Sequence, residues 1–218
     1  MNVALYGKWT LAHVRKRGLF SAIVGTFKVA WGRLFHGESI MFCFELNHID
    51  FEAVPLPAHI TVERKKRMAD ISPDDMARVA SVTSEQVVRR TLQERFEKGS
   101  DLWFAKIDGT IVTYRWNVRK TPLRRSERFF PLSDNDVYLY DIWTYKEFRG
   151  RNIAYYLDHY VLGQLKREGL ERAFWAVYRW NKSSLRYTSK MPAYEFGRVR
   201  KVRIFNRDLV LWSRMHNQ

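Results

Sequence analysis

Arg149-Gly150-Arg151-Asn152-Ile153-Ala154 is a stretch whose residue types and spacing suit the binding of an anion. It follows a β-branched and aromatic run, Val137 to Thr144, and leads into apolar residues at helical spacing: Ile153, Leu157, Tyr160, Val161 and Leu165. A strand that feeds a helix this way leaves the first helical N–H groups without an internal acceptor, and with the helix dipole they attract phosphate. Gly150 permits close backbone approach, Asn152 tolerates a left-handed backbone, and Arg149 and Arg151 add fixed positive charge. The loop is neither G-x-G-x-x-G nor G-K-[ST]. An ordinary turn carrying two solvated arginines is the plainer reading of the same residues. Asp141, the only acid inside the preceding strand, is suited to accept a proton directly or through water, or to cap a bulge or pair with an arginine.

The surrounding pattern predicts the elements that hold these groups. Ser39 to Leu46 and His59 to Arg64 are strands, separated by a connector containing Pro55 and Pro57. Ser72-Pro73-Asp74-Asp75 is a helix start, and Thr83-Ser84-Glu85-Gln86 opens a second helix that runs to Gly99. Asp101 to Lys106 and Thr110 to Trp116 are strands joined by an Asp108-Gly109 hairpin turn. Asn117 to Asp136 is basic and polar, a surface loop or a lid over an acceptor. After the long helix come a strand over Arg172 to Arg179, a helix over Ser184 to Lys190, and strands over Glu195 to Phe205 and Leu209 to Trp212.

The loop resembles the pyrophosphate-binding loop of the GNAT family of acyl-CoA N-acyltransferases, Arg/Gln-x-x-Gly-x-Gly/Ala, with Arg149, Asn152 and Ala154 in the defining places and Asn152 where glycine is usual. Asn181-Lys182-Ser183-Ser184-Leu185-Arg186 followed by Lys190 is similar to the family's Asn-x-x-Ser-Leu-Arg…Lys segment, and the order of elements is the family's over roughly Ile60 to Ser213. The resemblance implies an α/β (α+β) fold: a mixed, mostly antiparallel central sheet flanked by helices. It implies acetyl-CoA as acyl donor and a primary amine as acceptor, reacting directly in a ternary complex. The pantetheine arm would pair with Ile142, Trp143 and Thr144. The pyrophosphate would sit on the amides of Arg149, Gly150, Arg151, Asn152, Ile153 and Ala154, with Asn181 near the thioester. Asp141 would be the general base, and a backbone N–H of the strand would support the oxyanion. The family's thiolate-protonating tyrosine falls by spacing on Thr188. Tyr187, one residue early, and Tyr194 are the alternatives.

The net charge of +15 predicts attraction to something acidic: a phosphorylated cofactor, anionic lipid, nucleic acid or an acidic acceptor. A single cysteine, Cys43, excludes an internal disulfide and reads as a small buried apolar residue. No metal-ligand spacing occurs among the histidines, and a reducing cytoplasm fits. Residues 1–38 are expected to form a basic amphipathic extension ahead of a catalytic domain over 39–218. Phe20, Ile23, Phe27 and Trp31 share a helical face that suits packing on the domain, on a second copy in a homodimer, or on the inner face of an anionic membrane. The apolar run is too short to span a bilayer. Trp103, Trp116, Trp143, Trp175 and Tyr178 suit an aromatic-walled pocket for an amino sugar or hydrophobic amine, or the core. A non-catalytic module of the same fold, binding nucleic acid or a membrane surface, is the alternative to an enzyme.

Overall fold

The computed structural model describes residues 38–81, 84–119, 132–204 and 207–214. Its eight strands are β1 (Ser39–Glu45), β2 (Thr61–Lys65), β3 (Ser100–Ile107), β4 (Thr110–Arg119), β5 (Asp136–Thr144), β6 (Arg172–Tyr178), β7 (Tyr194–Ile204) and β8 (Arg207–Arg214). Four α-helices accompany them: α1 (Pro73–Ala80), α2 (Glu85–Glu97), α3 (Ile153–Arg167) and α4 (Lys182–Thr188). The strands form one sheet in the order β2-β3-β4-β5-β6-β1-β7-β8, antiparallel throughout except for β5 and β6.

Both faces of this sheet are covered, so its central strands bury residues of both parities. Leu102 and Phe104 of β3 turn to one face with Tyr138 and Tyr140 of β5, where Met76 and Val79 of α1 and Val88 and Leu92 of α2 pack. Trp103, Ala105, Val137 and Leu139 turn to the other, against Ile153, Leu157, Val161, Leu162 and Leu165 of α3. Ile153, Leu157, Val161 and Leu165 are positions of the stripe read from the sequence; Leu162 joins them, and Tyr160 is only partly buried against the same cluster. Ser72 caps α1 by accepting from the Asp75 amide at 3.1 Å, with Pro73 in the first turn. Asp108 (φ 49°) and Gly109 (φ 74°) turn the β3–β4 hairpin, as an Asp-Gly pair does in a type I′ loop.

One expectation changes. Asn117 to Arg119 belong to β4 and Asp136 to β5, not to a loop. Asn117 is buried and accepts from Trp103 Nε1 at 2.6 Å, and Asp136 binds Arg172 through two bonds of 2.9 and 2.8 Å. The remainder of the expected lid, 120–131, lies outside the described residues, as does the expected arm up to residue 37. β1, expected as a strand, sits inside the sheet between β6 and β7, with Phe42 opposite both Trp175 and Glu195. Cys43 is buried there, and desolvation pushes its thiol up to about 12, consistent with an inert packing residue.

Candidate active site

β5 and β6 pair only at Asp136–Arg172, Val137–Ala173 and Tyr138–Phe174. Beyond Tyr138 each strand follows its outer neighbour. β5 stays on β4 as far as Thr144 opposite Thr113, and β6 stays on β1 as far as Tyr178 opposite Ser39. A bulge helps to part them. Tyr140 faces Trp116 and Trp143 faces Tyr114, so Asp141 and Ile142 together oppose Arg115. Asp141 takes a left-handed backbone there (φ 48°).

The space around this part of β5 falls into three parts, each lined by Ile142. The largest, about 610 Å³, runs from Ile142, Trp143 and Thr144 to the start of α3 and across to α4. Arg149, Gly150, Asn152, Ile153, Ala154 and Asn181 line it, together with the cationic Arg186 and Lys190. Of the residues expected to hold CoA, Arg151 is the exception; its guanidinium lies over the Phe148 ring at 5.6 Å. Gly150 (φ 81°) and Asn152 (φ 55°) both adopt the left-handed backbone. A Cβ on Gly150 would meet nothing within 4 Å, so backbone conformation rather than crowding by the protein favours glycine there. Arg149 Nε donates to the Thr144 carbonyl at 3.0 Å, and its guanidinium lies over Trp143. Lys190 Nζ reaches Asn152 Oδ1 at 3.4 Å. The amides of Ile153, Ala154 and Tyr155 fall in the first turn of α3, where a helix offers no acceptor. Asn181 caps α4 by accepting from the Ser184 amide at 3.1 Å.

The second part, about 260 Å³, is the slot itself, between Leu139 to Ile142 of β5 and Trp175 to Tyr178 of β6, with Tyr187 and Thr188 of α4 above. Tyr187 is in this slot, and its hydroxyl donates to Asp158 Oδ2 at 2.5 Å. Asp158 is fully buried, and Arg115 Nε stands 3.2 Å from its other oxygen. Desolvation holds the Tyr187 hydroxyl well above the usual tyrosine range and raises the Asp158 carboxyl as well. The Arg115 guanidinium also lies 5.1 Å from the Trp175 ring centre. Thr188 is occupied as the acceptor of Trp175 Nε1 at 3.2 Å. Tyr194 starts β7, outside the linings of all three parts, and donates to Glu45 Oε1 at 2.7 Å.

The third part, also about 260 Å³, lies on the opposite side of β5, under α1 and α2. Its walls are mostly apolar, and Arg95 and Asp141 meet at its edge with Nη2 to Oδ2 at 2.5 Å. Asp141 lines both this part and the slot. The expected aromatic pocket is therefore divided. Trp116 and Trp143 line the third part, Trp175 and Tyr178 line the slot, and Trp103 is core. Arg95, Arg115 and Asp158 are site residues that sequence reasoning missed. Asp158 was signalled by an acid directly after Leu157 in an apolar stripe, and Arg115 by a charge inside the run Ile111 to Trp116.

Residues 67–191, more than half of the chain, match the model of the acetyltransferase (GNAT) family, and the chain belongs to that family. Among solved structures it is similar to a tandem GNAT protein from the clavulanic acid biosynthesis pathway, with TM-score 0.57, 16% identity, and coverage of 80% of this chain and 55% of that one. A GNAT-family acetyltransferase from Colwellia psychrerythraea aligns with TM-score 0.52 and 12% identity over 74% and 53%. The GCN5-related glucosamine N-acetyltransferase region of a fungal multi-domain GH3 β-N-acetylglucosaminidase aligns with TM-score 0.52 and 13% identity over 85% and 23%. The chain thus spans about half or less of these structures, and the likeness is one of fold. No curated protein matches the sequence. Among the described residues, no helix is long and apolar enough to cross a membrane.

Proposed function

We propose that the protein transfers an acyl group, acetyl in the first instance, from acyl-CoA to the primary amine of a small acceptor by direct attack in a ternary complex. The observation that carries this reading is the parting of β5 and β6 beyond Tyr138, open at one end to the first turn of α3 and at the other to Asp141. The donor set fits a diphosphate: free first-turn amides with Arg149, Arg186 and Lys190 around them. The unpaired edge of β5 fits an extended amide-bearing arm.

Bound acyl-CoA supplies a thioester carbon open to attack. An ammonium has no lone pair, so Asp141 takes one proton, directly or through water, to release the amine. The N–C bond forms as the C–S bond breaks. The new amide nitrogen sheds a second proton; the departing thiolate takes up one, and the other goes to solvent. A backbone N–H beside the bulge supports the carbonyl oxygen as it gains charge. Tyr187 serves the thiolate as a hydrogen-bond donor only once its single proton turns away from Asp158 Oδ2, which holds it in the structure. Burial raises the Tyr187 hydroxyl well above the usual tyrosine range, which favours hydrogen bonding over release of its proton.

Calorimetric titration with acetyl-CoA, then mass spectrometry of a cell extract incubated with protein and acetyl-CoA, tests the reading. It requires micromolar binding and a product heavier by one acetyl group. Binding without any acylated product favours a non-catalytic module. Residues 1–38 complete the proposal as an arm that packs on the 39–218 domain or on a second copy, or else docks the domain on the cytoplasmic side of an anionic membrane.

A further inference from the structure

The third part of the site has the shape and charges to select an acceptor, and the inference drawn from it rests on the acyl-transfer reading above. We propose that the acceptor is a free α-amino acid with an apolar side chain, its amine at Asp141, its carboxylate at Arg95 and its side chain among Val79, Val88, Leu92 and Phe104.

Charge carries the first half of the argument. Arg95 and Asp141 form a half-buried pair, with side-chain exposures of 23% and 36%, at the mouth of an otherwise apolar cavity. Arg95 is held in place by the rings of Trp116 and Tyr140, 5.0 and 5.1 Å from its guanidinium carbon. A ligand with adjacent opposite charges complements such a pair: its ammonium meets the carboxylate and its carboxylate meets the guanidinium, so no charge is left without a counterpart. An α-amino acid carries those charges one carbon apart. A simple amine supplies only one of them and displaces the pair without replacing it.

Position carries the second half. Asp141 lines both this cavity and the slot between β5 and β6, so an amine held by it stands where the donor and acceptor spaces meet. The cavity, at about 260 Å³, is smaller than the ~300 Å³ floor of drug-sized sites and suits one side chain. Its entrance exposes Val87 and Trp143, 44% and 40% accessible. A sugar fits these walls poorly, since its ring hydroxyls would be buried against valine, leucine and phenylalanine without partners.

The experiment compares acceptors with the full-length protein and acetyl-CoA: L-phenylalanine, L-leucine, L-phenylalaninamide, phenethylamine, a Phe-Gly-Gly peptide and D-glucosamine. We expect kcat/KM for the two amino acids to exceed those for the amide, the decarboxylated amine and the peptide at least tenfold. Arg95→Gln should shrink that ratio toward one, whereas Arg95→Lys should keep part of it. The native panel decides the matter even if Arg95→Gln does not fold. Equal or better use of phenethylamine, the peptide or glucosamine overturns the inference and leaves acyl transfer standing. If acetyl-CoA binds and the cell extract is acylated while no amino acid reacts, the inference again falls alone. If acetyl-CoA does not bind, or nothing in the extract is acylated, the acyl-transfer reading falls and the inference with it.

Discussion

The Tyr187 hydroxyl donates a hydrogen bond to the carboxyl group of Asp158, which is itself paired with Arg115. This bond ties α4, α3 and β4 together beneath the slot and sets a limit on what Tyr187 can do. Tyr187→Phe should lower kcat only about tenfold, less than the 10²–10⁴ of a full general acid. It should also destabilise the fold by roughly 1–3 kcal/mol, because Asp158 loses its hydroxyl partner in a buried setting. Steady-state kinetics together with denaturant unfolding measure both effects. A fall beyond a thousandfold with unchanged stability would make Tyr187 the proton donor after all.

Arg149→Ala should weaken acetyl-CoA binding by roughly 1–3 kcal/mol, the range of a charge-assisted hydrogen bond. Gly150→Val should weaken it as well, because a β-branched residue cannot hold φ 81° without strain and the loop must reshape. Isothermal titration reads both. Unchanged affinity in the two variants would remove the loop from CoA binding.

Asp141→Asn keeps the shape of the bulge residue and removes the base. Turnover should drop about 10²–10⁴-fold at neutral pH with acetyl-CoA affinity intact. A rate like that of the native protein would take Asp141 out of the mechanism.

Stability should depend on pH through His159. This residue of α3 is buried beside Tyr155 and Phe51, its two ring nitrogens without hydrogen-bond partners among the described residues. Burial holds its imidazole below the ordinary range. The unfolded chain takes up that proton near pH 6.5 and the native state only at lower pH, so the unfolded state binds more protons in this window. Stability is therefore full above about 6.5 and declines as the pH falls. Melting temperatures at pH 7.5 and 5.5 should differ less in His159→Leu than in the native protein. An identical difference would assign the pH dependence to other groups.

Much of the fold was legible because its signals are local. The α3 stripe, the Ser72 cap, the Asp108-Gly109 turn and the left-handed places at Gly150 and Asn152 all follow from neighbours within a few residues. The lining of the largest cavity was legible for the same reason, since the loop and the Asn181 segment are each continuous in sequence. Arg115 and Asp158 were not. Each reads as a charge interrupting an apolar run, and only the packing of α3 on β4 shows that the two interruptions meet. Arg95 was hidden similarly, on an α2 face that looks solvated until Asp141 is brought beneath it.

The place of β1 has a consequence for how the chain is made. Glu45 pairs with Arg172 and Ser39 with Val199, so β1 leaves the ribosome well over a hundred residues ahead of the strands that flank it. At roughly 5–20 residues per second, SIMFCFE waits on the order of ten seconds as an unpaired, mostly apolar segment. During that time it is open to pairing with other chains. Closing the sheet around it joins distant parts of the chain, a slow kind of step. Its loss would not trim an edge; it would cut β7 and β8 away from the rest of the sheet.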